Sequence, residues 1–157
     1  AFDTDAAVQR RFVTEMSAAL DIEIVGVREV REAVAASDVV VTSGPILKHP
    51  APTIAVDWLK PGAFASAVDF DSYWTEEALA QIDKIATDDH AQFQYYRRVG
   101  YFQKTPEPYA DLGALVVFTV LPQRAFADDR AGCLPLDCPE QGRAIVHGTY
   151  IPQHQLA

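Results

Sequence analysis

SDVVVTSGPILKHPAPTIAVDWLKPGAFASAV, residues 37–68, is the stretch that decides the fold of this chain. It opens on an apolar run over 39–41 that ends in the small residues Thr42, Ser43 and Gly44. A Pro-Gly turn at 61–62 then leads into a second apolar run over 64–68. Short continuous apolar runs bounded by turn residues are typical of strands buried on both faces, as in a parallel sheet. The stretch therefore predicts two strands of an α/β fold.

The remainder of the chain, up to about residue 117, alternates apolar runs with segments of helical period. This alternation predicts a Rossmann-like α/β domain, with a mostly parallel sheet and helices on both faces. Further strands are expected over 1–3, 22–25 and 84–87, and helices are expected after Asp5, near Val27, at Thr75 and at Asp89. Residues 131–157 show no clear period, so 118–157 is expected to be an irregular tail.

Composition excludes several classes of partner. The net charge of −9 would repel nucleic acid and anionic membranes. No apolar run approaches the ~20 residues of a membrane-spanning helix, and we expect a cytoplasmic protein. Cys133 and Cys138 precede His147 and His154, but eight residues separate the second Cys from the first His. A zinc finger needs about twelve there, so no metal site is expected.

Polar residues follow the predicted strands, where ligands bind to open parallel sheets. Asp3 follows the first strand, so it is placed either to bind ribose hydroxyls, which favours NAD, or to cap the next helix. Thr42, Ser43 and Gly44 follow the second expected buried run and would let a nucleotide approach closely. Asp88 follows the strand over 84–87. Carboxyl ends of parallel strands share one sheet edge, so these residues are expected to cluster.

Asp69 and Asp71 leave the strand over 64–68 two residues apart. Extended backbone would put both carboxylates on one side, where each charge raises the pKa of the other and prepares a base. The alternative is a solvated acidic loop.

The residues quoted above also resemble a known family. DVVVTSG followed by WLKPGAFASAV is similar to the ornithine cyclodeaminase/μ-crystallin family, whose pattern is D-I-V-V-T-A-T and W-L-K-P-G-A-H-I-N-A-V-G. The resemblance implies NAD or NADP as cofactor and hydride transfer at an amine or imine carbon, with ammonia loss in the cyclodeaminases. It places Asp71 on the family's acid/base aspartate and Val68 and Asp88 beside the cofactor. Ser66 and Asp69 depart from the family pattern.

A narrower resemblance concerns the aromatic segment QFQYY at 92–96, GYF at 100–102 and YADLG at 109–113. These residues are similar to the tyramine oxidase branch of the family, which is named for the second subunit of that enzyme. That likeness implies, as an alternative function, a non-catalytic accessory or binding subunit. The other interpretation of the segment is an amphipathic helix that buries Phe93 and Tyr96.

The phosphate-binding part of a dinucleotide fold does not occur in the sequence. Such a fold begins with a strand, a G-x-G-x-x-G turn and a helix that holds the pyrophosphate, and the 157 residues contain no such motif. We therefore expect a partial dinucleotide-binding domain over 1–117, lacking the first strand and glycine-rich loop and inactive as a fragment. The resemblance implies, for the complete protein, an amino acid or amine substrate and a homodimer.

A missing first strand has a structural consequence. In strand order 3-2-1-4-5-6 that strand lies between the strands that end at Asp3 and Thr42. Two unpaired strand edges would remain unless those two strands close on each other.

Overall fold

The computed structural model describes residues 1–120 and residues 144–147. It contains five helices, one short 3-10 helix and five strands. In chain order these are α1 (Ala6–Leu20), α2 (Val30–Ala35), β1 (Val39–Thr42), the 3-10 helix (Val56–Trp58), β2 (Phe64–Ala67), α3 (Glu76–Ala80), β3 (Lys84–Thr87), α4 (His90–Arg98), β4 (Ala110–Asp111), α5 (Leu112–Val120) and β5 (Ala144–His147).

All five strands form one sheet in the order β1-β2-β5-β3-β4, and every described pair is parallel. The α/β class with a parallel sheet is therefore confirmed. The position of β5 was not expected, because Ala144–His147 lies between β2 and β3. The prediction of an irregular segment is wrong for these four residues. The rest of 118–157, beyond the end of α5, lies outside the described residues, and the predicted domain boundary at 117 stays a prediction.

The strand predicted over 22–25 does not form. The extended residues there have a partner at a single point, where the Ala1 amino group donates to the Val25 carbonyl and the Val27 amide donates to the Ala1 carbonyl. This is one rung of a parallel ladder. A strand needs several rungs in succession, so residues 1–3 and 22–25 are extended but are not strands.

Helix capping agrees with the sequence. Asp5 accepts from the amides of Ala7 and Val8 at the start of α1. Thr75 caps α3 and Asp89 caps α4 through the same kind of side-chain bond. Each cap satisfies a backbone donor that has no partner within its helix.

Two apolar clusters form the described core. The larger packs the buried face of β1 and β2 against α2, α3 and the 3-10 helix, and it includes Val40, Ala65, Ala67, Trp74 and Leu79. The smaller contains the aromatic residues Phe70, Phe93 and Phe102, with Tyr96 and Tyr101 packed against it. The amphipathic interpretation of the aromatic helix is confirmed for Phe93, whose side chain is fully buried.

Helix α1 packs poorly by comparison, since none of its residues is buried. The predicted apolar stripe is present, but Val8, Phe12 and Leu20 are exposed. The helix is attached to the extended residues beside it through Gln9, whose amide donates to the carbonyls of Ala1 and Val27. The same part of the molecule borders a large cleft.

Candidate functional site: a cleft at the edge of β1

The cleft lies between the N-terminal residues and β1. It is lined by residues 1–4 and by the extended residues near Val25 on one side, and by β1 on the other. Its volume is about 980 Å³. The two strand edges expected on either side of a missing first strand therefore do not close on each other. The gap between them is open.

Four predicted cofactor residues lie along this cleft, namely Asp3, Thr42, Ser43 and Gly44. The structure thus brings together residues from two strand ends that are 39 positions apart, from Asp3 to Thr42. Asp69 also lines the cleft. The predicted residues Val68, Asp71 and Asp88 do not line it.

Asp3 takes part in a local turn. One oxygen of its carboxylate accepts a hydrogen bond from the Asp5 amide at 2.7 Å, and the side chain is exposed. The helix cap itself is Asp5. Asp3 is therefore not the N-cap of α1, and its second oxygen has no hydrogen-bond partner among the described residues.

Asp69 ties the ends of β1 and β2 together. One carboxylate oxygen accepts from the Thr42 hydroxyl at 2.6 Å, and the other accepts from the Gly44 amide at 2.9 Å. Asp69 is only 1% exposed. Burial raises its pKa, while the hydrogen bonds from Thr42 and Gly44 act in the opposite direction. Two groups expected to face a cofactor are thus already bonded to the protein.

The turn after β2 adds further contacts to this latch. The Leu47 amide donates to the Ser72 hydroxyl, and that hydroxyl donates to the Asp69 carbonyl. The Tyr73 ring covers Gly44 so closely that a Cβ on Gly44 would lie 2.4 Å from the Tyr73 hydroxyl oxygen. Glycine is therefore required at position 44 for lack of space. The sequence showed Asp69 as a departure from the family pattern but held no sign of its partners.

Asp71 lies in a different environment from Asp69. It is 7% exposed, and its carboxylate accepts from the Thr105 hydroxyl at 2.9 Å. Burial raises its pKa, opposed by the hydrogen bond from Thr105 and by the more distant charge of Arg97. The causes of the rise do not include Asp69.

The expectation that the two carboxylates share one side is therefore wrong, and Phe70 explains why. Its φ of 62° lies in the left-handed region, so the backbone turns instead of staying extended between the two aspartates. The ring of Phe70 is held by Tyr96, Tyr101 and Phe102, with centroids 4.5 to 5.5 Å away. Packing in this aromatic cluster stabilises a conformation that a bulky residue otherwise avoids.

Val68 and Asp88 have local roles in the structure. The Val68 amide donates to the Thr42 carbonyl and extends the pairing of β1 and β2. The Asp88 carboxylate accepts from the Asp89 amide at 2.9 Å at the start of α4. Both residues lie at the carboxyl ends of strands, as the sequence predicts.

The charge of the cleft is one-sided. Its lining includes four acidic residues, Asp3, Glu23, Glu32 and Asp69, and no lysine or arginine. A pyrophosphate would gain no ion pair from the side chains that line this cleft. Over 1–120 and 144–147, no group of three or more acidic, His or Cys residues is arranged to hold a metal ion. No helix in the described part is long and apolar enough to cross a membrane.

A family model ties this architecture to known proteins. The model of the ornithine cyclodeaminase/mu-crystallin family matches residues 1–121. The chain belongs to this family. No curated protein sequence gives a significant match. As a family member, the chain places the cleft and the Asp69 latch within a fold that solved structures share.

Three solved structures illustrate that fold. The Δ1-pyrroline-2-carboxylate reductase of Thermococcus litoralis, in complex with NADH and L-proline, is 18% identical with a TM-score of 0.61, and the match covers 95% of this chain and 44% of that one. CmnK is 18% identical with a TM-score of 0.66, over 96% and 40% of the two chains. A probable ornithine cyclodeaminase from Bordetella pertussis Tohama I is 15% identical with a TM-score of 0.61, over 96% and 45%. The chain spans less than half the length of each.

The latch predicts a cost for removing its carboxylate. Asp69→Ala leaves the Gly44 amide and the Thr42 hydroxyl without their acceptor, so we expect the free energy of unfolding to fall by about 1–3 kcal/mol. The amide proton of Gly44 should also exchange faster with solvent. Glu77→Ala removes an exposed carboxylate from α3 and should change stability by less than about 0.5 kcal/mol. Urea unfolding and amide exchange measure both effects, and an Asp69→Ala protein that matches the Glu77→Ala control contradicts the latch.

Burial of Asp71 predicts a pH dependence of stability. Because the folded state raises the pKa of Asp71 above its ordinary value of 3.8, the folded chain binds this proton more tightly than the unfolded chain. The contribution to stability is full below pH 3.8 and falls as the pH rises through the folded pKa. Asp71→Asn keeps an acceptor for Thr105 and cannot ionise, so its advantage over the native protein should grow from pH 4 towards pH 7. Asp57→Asn, at an exposed site, is the control, and a pH-independent difference for Asp71→Asn would refute the assignment.

Proposed function

We propose that this chain is the nucleotide-binding part of an enzyme that transfers a hydride between NAD(P) and an amine or imine carbon of an amino acid. The single observation that carries the proposal is the family match over 1–121, whose residues form a cleft at the carboxyl end of β1. The similar reductase from Thermococcus litoralis was solved with NADH and L-proline. Ammonia loss, as in cyclodeaminases, is the form of this chemistry that the family name suggests.

Asp3 is proposed to hold the adenosine ribose. It is exposed, it lines the cleft, and one oxygen of its carboxylate remains without a hydrogen-bond partner among the described residues. A carboxylate there accepts hydrogen bonds from ribose hydroxyls and repels a 2′-phosphate. NAD is therefore the proposed cofactor in preference to NADP.

The residues after β1 are proposed to form the cofactor edge. The carboxylate of Asp69 fixes Thr42 and Gly44, so these two residues act by holding the loop in shape. Ser43 lies between them along the cleft and is proposed to contact the cofactor. Val68, at the carboxyl end of β2, and Asp88, after β3, are proposed to border the nicotinamide side.

Asp71 is proposed as the acid/base group. A carboxyl whose pKa is raised by burial can hold a proton closer to neutral pH than an exposed one, which suits proton exchange with an amine. The Thr105 hydroxyl orients its carboxylate. At 7% exposure, Asp71 needs the covering residues near Thr105 to move before a substrate can reach it.

The 157-residue chain alone is proposed to be inactive. Its sequence has no G-x-G-x-x-G motif, and the described cleft has no cationic side chain for a pyrophosphate. A homodimer in the cytoplasm, with an amino acid or amine as substrate, is proposed for the complete enzyme. The alternative of an accessory role gains no support from the aromatic segment, because Phe93 and Phe102 are buried in the core.

Titration with NADH and NADPH tests this function. We expect the 157-residue chain to show no saturable binding, and a chain extended upstream of Ala1 to bind NADH more tightly than NADPH. In the extended chain, Asp3→Asn should reduce the preference for NADH about tenfold, because the repulsion of the 2′-phosphate is lost. Asp21→Asn makes the same charge change at an exposed left-handed position that asparagine tolerates, and it should have no effect.

Each arm can fail separately. Saturable micromolar binding by the 157-residue chain would overturn its proposed inactivity. An extended chain that contains a glycine-rich turn and binds neither nucleotide would overturn the nucleotide function itself.

A further inference from the structure

The outer edge of β1 offers backbone groups for pairing. The carbonyls of Asp38 and Thr42 accept from β2, at the Phe64 and Val68 amides. Since backbone groups alternate along a strand, the amides and carbonyls of Val39 and Val41 point away from β2. β1 is the last strand of the described sheet on that side. Val39 and Val41 are 60% and 62% exposed, although they sit in the centre of an apolar strand.

A second backbone edge faces the same cleft. Ala1 directs its amino group and its carbonyl towards Val25 and Val27. By the same alternation, the next residue, Phe2, directs its backbone groups to the opposite side, and Phe2 lines the cleft. The cleft is therefore bounded by two extended edges, and its volume of about 980 Å³ lies between them.

The lining restricts what the cleft can accept. Its side chains are mostly apolar, and its only charged side chains are acidic. A segment that pairs with both edges would be covered on both faces, which requires a continuous apolar run. Cationic residues at the ends of that run would complement the acidic lining. Every described pair in the sheet is parallel, so the parallel direction fits the existing twist.

A second copy of this chain does not fit as well. Its own β1 is covered on one edge by β2, so it could pair with only one wall of the cleft. The strand at the other end of the described sheet, β4, has only two residues. Neither can fill a gap between two edges.

We propose that the cleft accepts one separate β-strand, an apolar segment with basic ends that inserts parallel to β1 and pairs with both β1 and the N-terminal edge. The occupant adds a strand to the sheet by backbone pairing, which is a known mode of peptide recognition. This inference concerns the strand interface. It goes beyond the proposed function and holds whether or not the chain binds a nucleotide.

A synthetic peptide tests the proposal directly. The probe is acetyl-Lys-Val-Val-Ile-Val-Ile-Lys-amide, whose apolar part slightly exceeds the four residues of β1. At saturation we expect the Val39 and Val41 amides of the 157-residue chain to exchange at least about tenfold more slowly. The matched control is the same peptide with every second amide N-methylated, which removes the donors towards one wall. It should give no protection.

A protein variant gives a second test. Val41→Pro removes an amide that has no partner strand, so the urea midpoint of the free chain should stay close to the native value. Peptide affinity should fall at least about tenfold, because one donor is lost and the proline ring crowds the edge. Val41→Thr keeps the amide and should bind as the native chain does. If Val41→Pro fails to fold, the N-methylated peptide on the native chain still decides the matter.

Three results would overturn the proposal. The first is unchanged exchange at Val39 and Val41 with saturating peptide. The second is equal protection by the N-methylated peptide, since that would show apolar adhesion without strand pairing. The third is concentration-dependent protection of these amides without peptide, together with dimers in sedimentation, which would assign the edge to a second copy.

Discussion

The open backbone edge of β1 is the constraint on which the other features of this structure depend. Extended strands satisfy their amides and carbonyls by pairing, and β1 does so only on the side of β2. Its other side faces a cleft, so Val39 and Val41 remain exposed. The N-terminal residues across the cleft have a single rung of pairing and form no strand. Helix α1, which follows them, buries no residue.

The carboxyl ends of the strands are organised by two buried aspartates with separate roles. Asp69 joins the loop after β1 to the turn after β2, and so fixes the shape of the cleft where a nucleotide would lie. Asp71 points to the other side, towards Thr105 and the aromatic cluster. The left-handed turn at Phe70 separates them. One short turn therefore links the cofactor edge to the proposed acid/base group.

Sequence reasoning found the features that depend on local pattern. The strands β1, β2 and β3, the caps Asp5, Thr75 and Asp89, and the family itself all follow from residue type and spacing. It did not find β5, because these four residues carry no periodic signal and their strand form depends on neighbours at both sides. The partners of Asp69 were equally hidden, since they are 25 and 27 residues away in the chain. The left-handed φ of Phe70 comes from ring packing and has no local signature.

Amide hydrogen exchange in β1 of the isolated chain, resolved by residue with NMR, tests the central claim most directly. The account predicts alternation, because the amides of Val40 and Thr42 face β2 whereas those of Val39 and Val41 face the open cleft. Val40 and Thr42 should therefore exchange slowly, and Val39 and Val41 should exchange fast. Equal, strong protection of all four amides in a monomer would contradict an open edge, and with it the account of the cleft as the place of an absent strand.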